Sequence, residues 1–243
     1  MYATLQKQLS EFKEPDREKY GMHIWYPAIA QFTFHSTCIT LTPRDIEDVL
    51  ECKPSGGLLD RIDEVIKYYG GKVFPRLHYL SPKYLAPCES ASFILGLLVG
   101  TTRTQNVLIS HRDKGCPLFL REWVNFGQAT EIRCFIVRGR LTCMSQNDSQ
   151  ADSEPLEHPQ LVKSRVMRFI DTCLPHLPYK DCTVDVALIG KSMYIVEINT
   201  PFDMLAGSGL FSYPHEAELL SRGTPNGPIL RYHTDAFYGV GEI

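Results

Sequence analysis

Three polar residues in the last third of the sequence have the types and spacing of a cation-binding site. Asp185 lies in an apolar segment, and Glu197 and Asn199 lie in the next one, after the loop Gly190-Lys191-Ser192. If the two segments form a hairpin around this loop, Asp185 faces Glu197 and Asn199 projects from the same face, because side chains alternate along a strand. Facing carboxylates repel unless a cation lies between them, and Mg²⁺ prefers oxygen ligands. The spacing predicts a Mg²⁺-nucleotide site; the alternative is a solvated sheet edge with two weakly repelling carboxylates.

Arg133 supplies the opposite charge. It lies in an earlier predicted hairpin, on the same face as Glu131. An arginine on a rigid strand can offer its planar fork to phosphate oxygens. The alternative is an ordinary salt bridge to Glu131 or Glu122.

The segment PLFLREWV, residues 117–124, is apolar and then charged. This order predicts a buried strand that leads into a linker whose backbone reads the edge of a purine. The sequence contains no Gly-x-Gly-x-x-Gly opening a helix, no Gly-x-x-x-x-Gly-Lys-Ser/Thr and no Gly-x-Ser-x-Gly. It therefore gives no support to a Rossmann dinucleotide site, a Walker phosphate loop or a serine hydrolase.

The elements that must position these residues are helices and hairpins. Apolar residues recur three or four apart over residues 57–69 and 159–174, which predicts two amphipathic helices, and a shorter helix is predicted over residues 44–52. Alternation predicts one hairpin over residues 130–137 and 141–146 and another over residues 183–189 and 193–199. The pattern indicates an α+β fold in which helices cover antiparallel sheets.

Composition limits the classes of function. The 243 residues are 44% hydrophobic and 22% charged with a net charge of −3, which indicates a globular chain without the basic field that nucleic acids or anionic membranes attract. Residues 93–100 form an apolar run far shorter than the ~20 residues that span a bilayer. The N-terminus lacks the apolar stretch of a signal peptide, and the eight cysteines form no Cys-x-x-Cys pair, so we expect a cytoplasmic protein with reduced thiols.

Several motifs, in this order, resemble the cell division cycle protein 123 family, a eukaryotic branch of the ATP-grasp superfamily. They are WYP at residues 25–27, VFPRL at 73–77, SP at 81–82, LRxW at 120–123, ExRCF at 131–135, SQxD at 145–148, and Asp185 with EINxPF at 197–202. Each motif alone is weak, but the set spans most of the chain and is specific.

The resemblance implies an ATP-grasp fold that binds ATP and Mg²⁺ between two lobes. We expect an extension over residues 1–21 and one domain over residues 22–243, with lobes over about 22–117 and 118–243. The implied metal ligands are Asp185, Glu197 and Asn199, and Arg133 and Arg76 would approach the phosphates. The implied adenine-lining residues are Leu118, Phe119, Leu120, Arg121, Glu122 and Trp123.

The resemblance also implies a partner, because family members are thought to assist assembly of eukaryotic translation initiation factor 2 by binding its gamma subunit. Trp25, Tyr26 and Pro27 are candidates for a protein-binding surface, and the alternative for Trp25 is a place in the core. The rival functions are an ATP-dependent ligase that joins a small carboxylate to an amine through an acyl phosphate, and a scaffold that no longer binds nucleotide.

The chain departs from the family pattern at several places. Arg76 replaces a phosphate-facing lysine, and Glu197 replaces an aspartate. The alternative for Arg76 is an exposed pair with a surface carboxylate after a turn at residues 74–75. The chain also lacks a long acidic insertion and stops at Ile243 where relatives continue, so we expect a compact, divergent member.

Overall fold

The chain divides into two compact α+β units. The computed structural model describes residues 17–83, 86–125, 131–146, 155–201, 207–234 and 239–243. Of these, the N-terminal unit contains residues 21–125 and 189–196, and the C-terminal unit contains residues 17–20, 131–188 and 197–243. The lobe boundary expected near residue 117 stays a prediction.

The N-terminal unit packs helices against a three-stranded antiparallel sheet with the order β1-β3-β2. Its helices are α1 (Met22–Ile29), α2 (Pro43–Leu50), α3 (Gly56–Tyr68), α4 (Ala91–Gly100) and α5 (Thr102–Ser110), and its strands are β1 (Ser36–Leu41), β2 (Val73–Leu77) and β3 (Cys116–Glu122). Fully buried side chains such as Leu41, Ile62, Leu98 and Leu118 form one continuous core. The strand predicted from the apolar start of residues 117–124 is confirmed as β3.

Local signals explain where the two predicted helices of this unit begin. Thr42 and Asp45 form a capping box at the start of α2, and Ser55 Oγ accepts from the Leu58 amide at the start of α3. Gly70 and Gly71 follow α3 with positive φ values, a conformation that glycine adopts without strain. Both helices lie within two residues of their predicted bounds.

The C-terminal unit contains most of a six-stranded sheet with the order β7-β6-β4-β5-β8-β9. Its elements are β4 (Glu131–Val137), β5 (Arg140–Gln146), α6 (Pro159–Cys173), β6 (Cys182–Ile189), β7 (Ser192–Asn199), α7 (Ala217–Arg222), β8 (Ile229–His233) and β9 (Val240–Glu242). Strand β7 belongs to this unit from Glu197 onward and to the N-terminal unit up to Val196. The predicted helix and both predicted hairpins are confirmed, although β5 and β8 pair in parallel, so this sheet is mixed.

Burial of β6 differs from the prediction. The alternating pattern of residues 183–189 predicts a strand with one apolar face and one polar face, but every residue of β6 except Ile189 is buried. Strand β6 lies between β7 and β4 in the sheet, and its side chains are buried on both faces. Asp185 is consequently 1% exposed. Within the described ranges, no helix combines the length and the apolar character that crossing a membrane requires.

Candidate metal and nucleotide site

Arg133 and Asp185 form a buried bidentate ion pair across β4 and β6. The antiparallel register places the two residues directly opposite each other. Arg133 Nε donates to Asp185 Oδ1 and Nη2 donates to Oδ2, each at 2.8 Å, and Nη1 donates to the Gly207 carbonyl at 2.7 Å. Arg133 therefore makes a cross-strand salt bridge, and its partner in this pair is Asp185.

The structure brings the three predicted metal ligands together. The side chains of Asp185 and Glu197 share a hydrogen bond. Asn199 Nδ2 donates to Glu197 Oε1 at 2.7 Å. Two carboxyl groups and one amide therefore form a connected cluster beside the Arg133 guanidinium.

Burial controls the electrostatics of this cluster. Loss of solvent raises the pKa of Asp185, the charge and hydrogen bonds of Arg133 act in the opposite direction, and the neighbouring Glu197 raises it further. Burial disfavours the charged form of Arg133, but the attraction of Asp185 outweighs it and raises the pKa of Arg133 above its ordinary value. The alternative of a solvated sheet edge is wrong for Asp185, because its side chain is buried.

The donor set of this cluster fits a hard divalent cation. Mg²⁺ is bound in proteins by one or two carboxylates, and it keeps water or phosphate oxygens as further ligands. In the described part of the chain no group of three or more His, Cys, Asp or Glu side chains is placed to hold a metal ion. Asp185, Glu197 and Asn199 provide two carboxylates and one amide oxygen, so Asn199 would be the third ligand.

The predicted adenine-lining segment forms the central strand of the small sheet. Leu118 to Arg121 are buried, and each pairs with residues of both β1 and β2. Glu122 ends the strand: its amide donates to the His35 carbonyl, and its Oε1 accepts from the His35 amide, both at 2.9 Å. Because the backbone of residues 118–122 lies in the ladders, a purine edge would meet free backbone only after Glu122, where Trp123 is half-buried.

Arg76 is a buried residue of strand β2. It is 3% exposed, and its Nη2 donates to the Tyr79 carbonyl at 3.3 Å. Phe74 and Pro75 lie within the strand and not in a turn. The alternative of an exposed pair with a surface carboxylate is therefore wrong.

The three candidates for a partner surface lie in α1 and differ in exposure. Trp25 is completely buried, so it takes the core position that was its alternative. Tyr26 is half-buried, and its hydroxyl accepts from the Ser36 amide at 2.9 Å. Pro27 is exposed.

Two contacts of the site had no signal in the sequence. The Gly207 carbonyl accepts from Arg133, but Gly207-Ser208-Gly209 reads only as an isolated turn. Thr33 Oγ1 accepts from Arg121 Nη2 at 2.7 Å across 88 residues of sequence. In both contacts the two partners lie far apart in the sequence, so no local sequence pattern predicts them.

Comparison with solved structures defines the class of fold. The chain matches the structure of Cdc123 from Schizosaccharomyces pombe with a TM-score of 0.74 at 22% identity, covering 87% of this chain and 95% of the other. A C-terminally truncated form of the same yeast protein matches with a TM-score of 0.75. The predicted α+β fold class is confirmed, and the fold is that of the yeast Cdc123 structure. The assignment to the ATP-grasp superfamily stays a prediction.

Comparison of sequences defines the family. The D123 family model matches residues 56–234, and the chain belongs to this family. A putative CDC123-like protein of Acanthamoeba polyphaga mimivirus is 26% identical over 235 residues, which cover 84% of this chain and 72% of the viral protein. The translation initiation factor eIF2 assembly protein of Schizosaccharomyces pombe is 26% identical over 71% of this chain, and the match spans only 60% of the yeast protein.

Proposed function

We propose that this protein is an ATP- and Mg²⁺-binding assembly factor for eukaryotic translation initiation factor 2 that acts on the gamma subunit in the cytoplasm. The observation that carries the proposal is the cluster of Asp185, Glu197 and Asn199 beside Arg133, in a chain of the D123 family. Relatives from several fungi and a frog are called eIF2 assembly proteins. The name of these relatives supports the initiation-factor part of the proposal.

Each residue of the cluster has a definite task in this proposal. Asp185, Glu197 and Asn199 would hold Mg²⁺, which bridges and neutralises nucleotide phosphates when bound. Arg133 holds Asp185 in place in the sheet by two hydrogen bonds of 2.8 Å. We propose that Arg133 and Arg76 also approach the phosphates, where a guanidinium would recognise an anion.

We propose that the adenine lies against the segment formed by Leu118, Phe119, Leu120, Glu122 and Trp123. Arg121 belongs to the same segment, but its guanidinium donates to protein oxygens. The apolar members of β3 suit the face of a base, and the half-buried Trp123 follows the strand. The backbone after Glu122 is the part outside the two strand ladders. A purine edge would therefore be read by residues 123–125.

The proposed partner surface lies on the exposed side of α1. Pro27 and Tyr26 would contact the gamma subunit, because they are the two members of the motif with accessible surface. Trp25 would support them from the core, where it is completely buried. Tyrosine is among the residues that are enriched in protein interfaces.

The same cluster would also serve an ATP-dependent ligase, which is the second candidate function. Such an enzyme transfers the terminal phosphoryl group to a substrate carboxylate, and an amine then displaces phosphate from the acyl phosphate. The chemistry needs metal ligands and a cationic clamp, and we propose that Arg76 and Arg133 would supply the clamp.

One experiment separates the two functions. The purified chain is mixed with the gamma subunit for co-purification, and ADP release is measured in parallel with candidate acids and amines. Gamma-subunit capture without turnover supports the assembly factor, and turnover without capture supports the ligase. Asn199→Ala is the test variant, and Glu218→Gln, in an exposed ion pair with Arg222, is the matched control.

A further inference from the structure

Arg121 is a buried cation that ties strand β3 to strand β7 inside the N-terminal unit. It is 3% exposed. Its Nη1 donates to the Val196 carbonyl at 2.6 Å, and its Nη2 donates to Thr33 Oγ1 at 2.7 Å. Hydrogen bonds from an ionised donor are shorter and stronger than neutral ones, so this arginine fixes both acceptors.

Thr33 and Phe34 reinforce the same attachment. Thr33 Oγ1 donates onward to the Ile195 carbonyl at 2.6 Å. Phe34 stacks on Tyr194 with ring centres 5.0 Å apart, and the Arg121 guanidinium lies 5.1 Å from the centre of the Phe34 ring. Residues 194–196 of β7 are thus held by two carbonyl contacts and one aromatic stack.

The attached segment leads directly into the metal ligands. Val196 is the residue before Glu197, and Asn199 follows two positions later on the same strand. Fixing the Val196 carbonyl fixes the peptide plane from which Glu197 departs. On the other side, Glu197 is hydrogen-bonded to Asp185 and Asn199.

We propose that Arg121 is a positioning residue for the metal ligands and not a contact of the adenine. Both arms of its guanidinium fork donate to protein oxygens, and one of those oxygens belongs to the residue that precedes Glu197. It therefore links the strand proposed to carry the adenine with the strand that carries Glu197 and Asn199. This inference rests on the proposed binding of Mg²⁺ and ATP.

The test is the affinity for ATP with Mg²⁺ and with EDTA, measured by calorimetry on the full chain. The wild-type chain is compared with Arg121→Met, which keeps the apolar stem, and with Arg121→Lys. Arg44→Met, at an exposed arginine of α2, is the matched control. Thr33→Val removes the relay to the Ile195 carbonyl without removing the buried charge.

The tightening of ATP binding by Mg²⁺ should fall by roughly 10–100-fold in Arg121→Met, as for other residues that orient metal ligands. The affinity of Arg121→Met for ATP in EDTA should stay close to that of the wild type. Arg121→Lys should recover part of the lost Mg²⁺ effect. Thr33→Val should also lose part of the Mg²⁺ effect, but less than Arg121→Met. Equal losses with Mg²⁺ and EDTA would overturn the proposal in favour of direct adenine contact. An unchanged Mg²⁺ effect in Thr33→Val and in folded Arg121→Met would also overturn it. Failure of the wild-type chain to bind Mg²⁺-ATP would instead overturn the proposed function.

Discussion

Arg133 and Asp185 face each other across β4 and β6 and join through two hydrogen bonds of 2.8 Å. Facing carboxylates such as those of Asp185 and Glu197 repel each other unless a cation lies between them. In the structure, the guanidinium of Arg133 meets this requirement for Asp185. A metal ion would therefore add to an existing charge balance.

Removing the charge of Asp185 should destabilise the fold. Asp185→Asn leaves the guanidinium of Arg133 buried without its counter-charge, and breaking such a pair costs about 3–5 kcal/mol of unfolding free energy. Urea denaturation at neutral pH measures the change. Glu218→Gln is the control, because its ion pair with Arg222 is exposed and should contribute less than about 1 kcal/mol. Equal stability of Asp185→Asn and the wild type would mean that the pair is not formed in solution.

Acid should weaken the contact between Glu216 and Arg231. Hydrogen bonds from Arg231 and from the Ser212 amide lower the pKa of Glu216 below its ordinary value of 4.5. A lowered carboxyl pKa gives stability that is present above 4.5 and is lost as the pH falls through the pKa of the folded state.

Glu216→Gln should therefore be about 1 kcal/mol less stable than wild type at neutral pH, with the gap closing in acid. Urea denaturation of both proteins, from neutral pH to below pH 4.5, measures the difference in their free energies of unfolding. Glu51→Gln, from an exposed pair with Lys53, is the control and should differ little from wild type in stability at neutral pH. A constant difference between Glu216→Gln and wild type would show that the charge of Glu216 is not the source of the stability.

Arg76 should discriminate between ATP and adenosine. If it approaches the phosphates, Arg76→Ala loses more affinity for ATP than for adenosine, because a charge-assisted hydrogen bond is worth roughly twice a neutral one. Arg76→Lys should recover part of the loss, since an ammonium keeps the charge but not the planar fork. Calorimetry with both ligands decides the point. Equal losses for the two ligands would place Arg76 away from the phosphates.

The WYP motif should separate into a core residue and surface residues. Trp25→Ala should cost about 3–5 kcal/mol of unfolding free energy, because it empties a completely buried site. Pro27→Glu places a charge on exposed surface, so it should reduce capture of the gamma subunit without a comparable loss of stability. Gln160→Glu, exposed on α6, is the control. Undiminished capture by Pro27→Glu would remove this face from the proposed interface.

Local patterns predicted the parts of the fold that depend on local order. Helices α3 and α6 follow from apolar spacing and end signals, and both hairpins follow from alternation around short turns. Strand β2 was missed as a strand because Pro75 interrupts it, and proline is tolerated there because β2 lies at an edge of its sheet. The sequence does not predict helix α1, because the helix contains Pro27. It does not predict α4 either, because nearly all residues of α4 are apolar and they show no amphipathic spacing.

The site was predictable by residue type but not by its internal pairing. The types and spacing of Asp185, Glu197 and Asn199 identified the cluster. The pairing of Asp185 with Arg133 depends on β4 and β6 being neighbours, and 52 residues separate the two side chains. The parallel contact of β5 with β8 and the Arg121 carbonyl contact likewise join distant segments, so alternation and periodicity carry no information about them.

In the proposed function, Asp185, Glu197 and Asn199 bind Mg²⁺ together with ATP. The most direct measurement is a calorimetric titration of ATP into the wild-type chain and into Asn199→Ala, each with Mg²⁺ and with EDTA. We predict that Mg²⁺ tightens binding to the wild type and that Asn199→Ala loses about tenfold or more of this gain, while Glu218→Gln keeps it. Absence of ATP binding, or the same Mg²⁺ effect in Asn199→Ala as in wild type, would contradict the account.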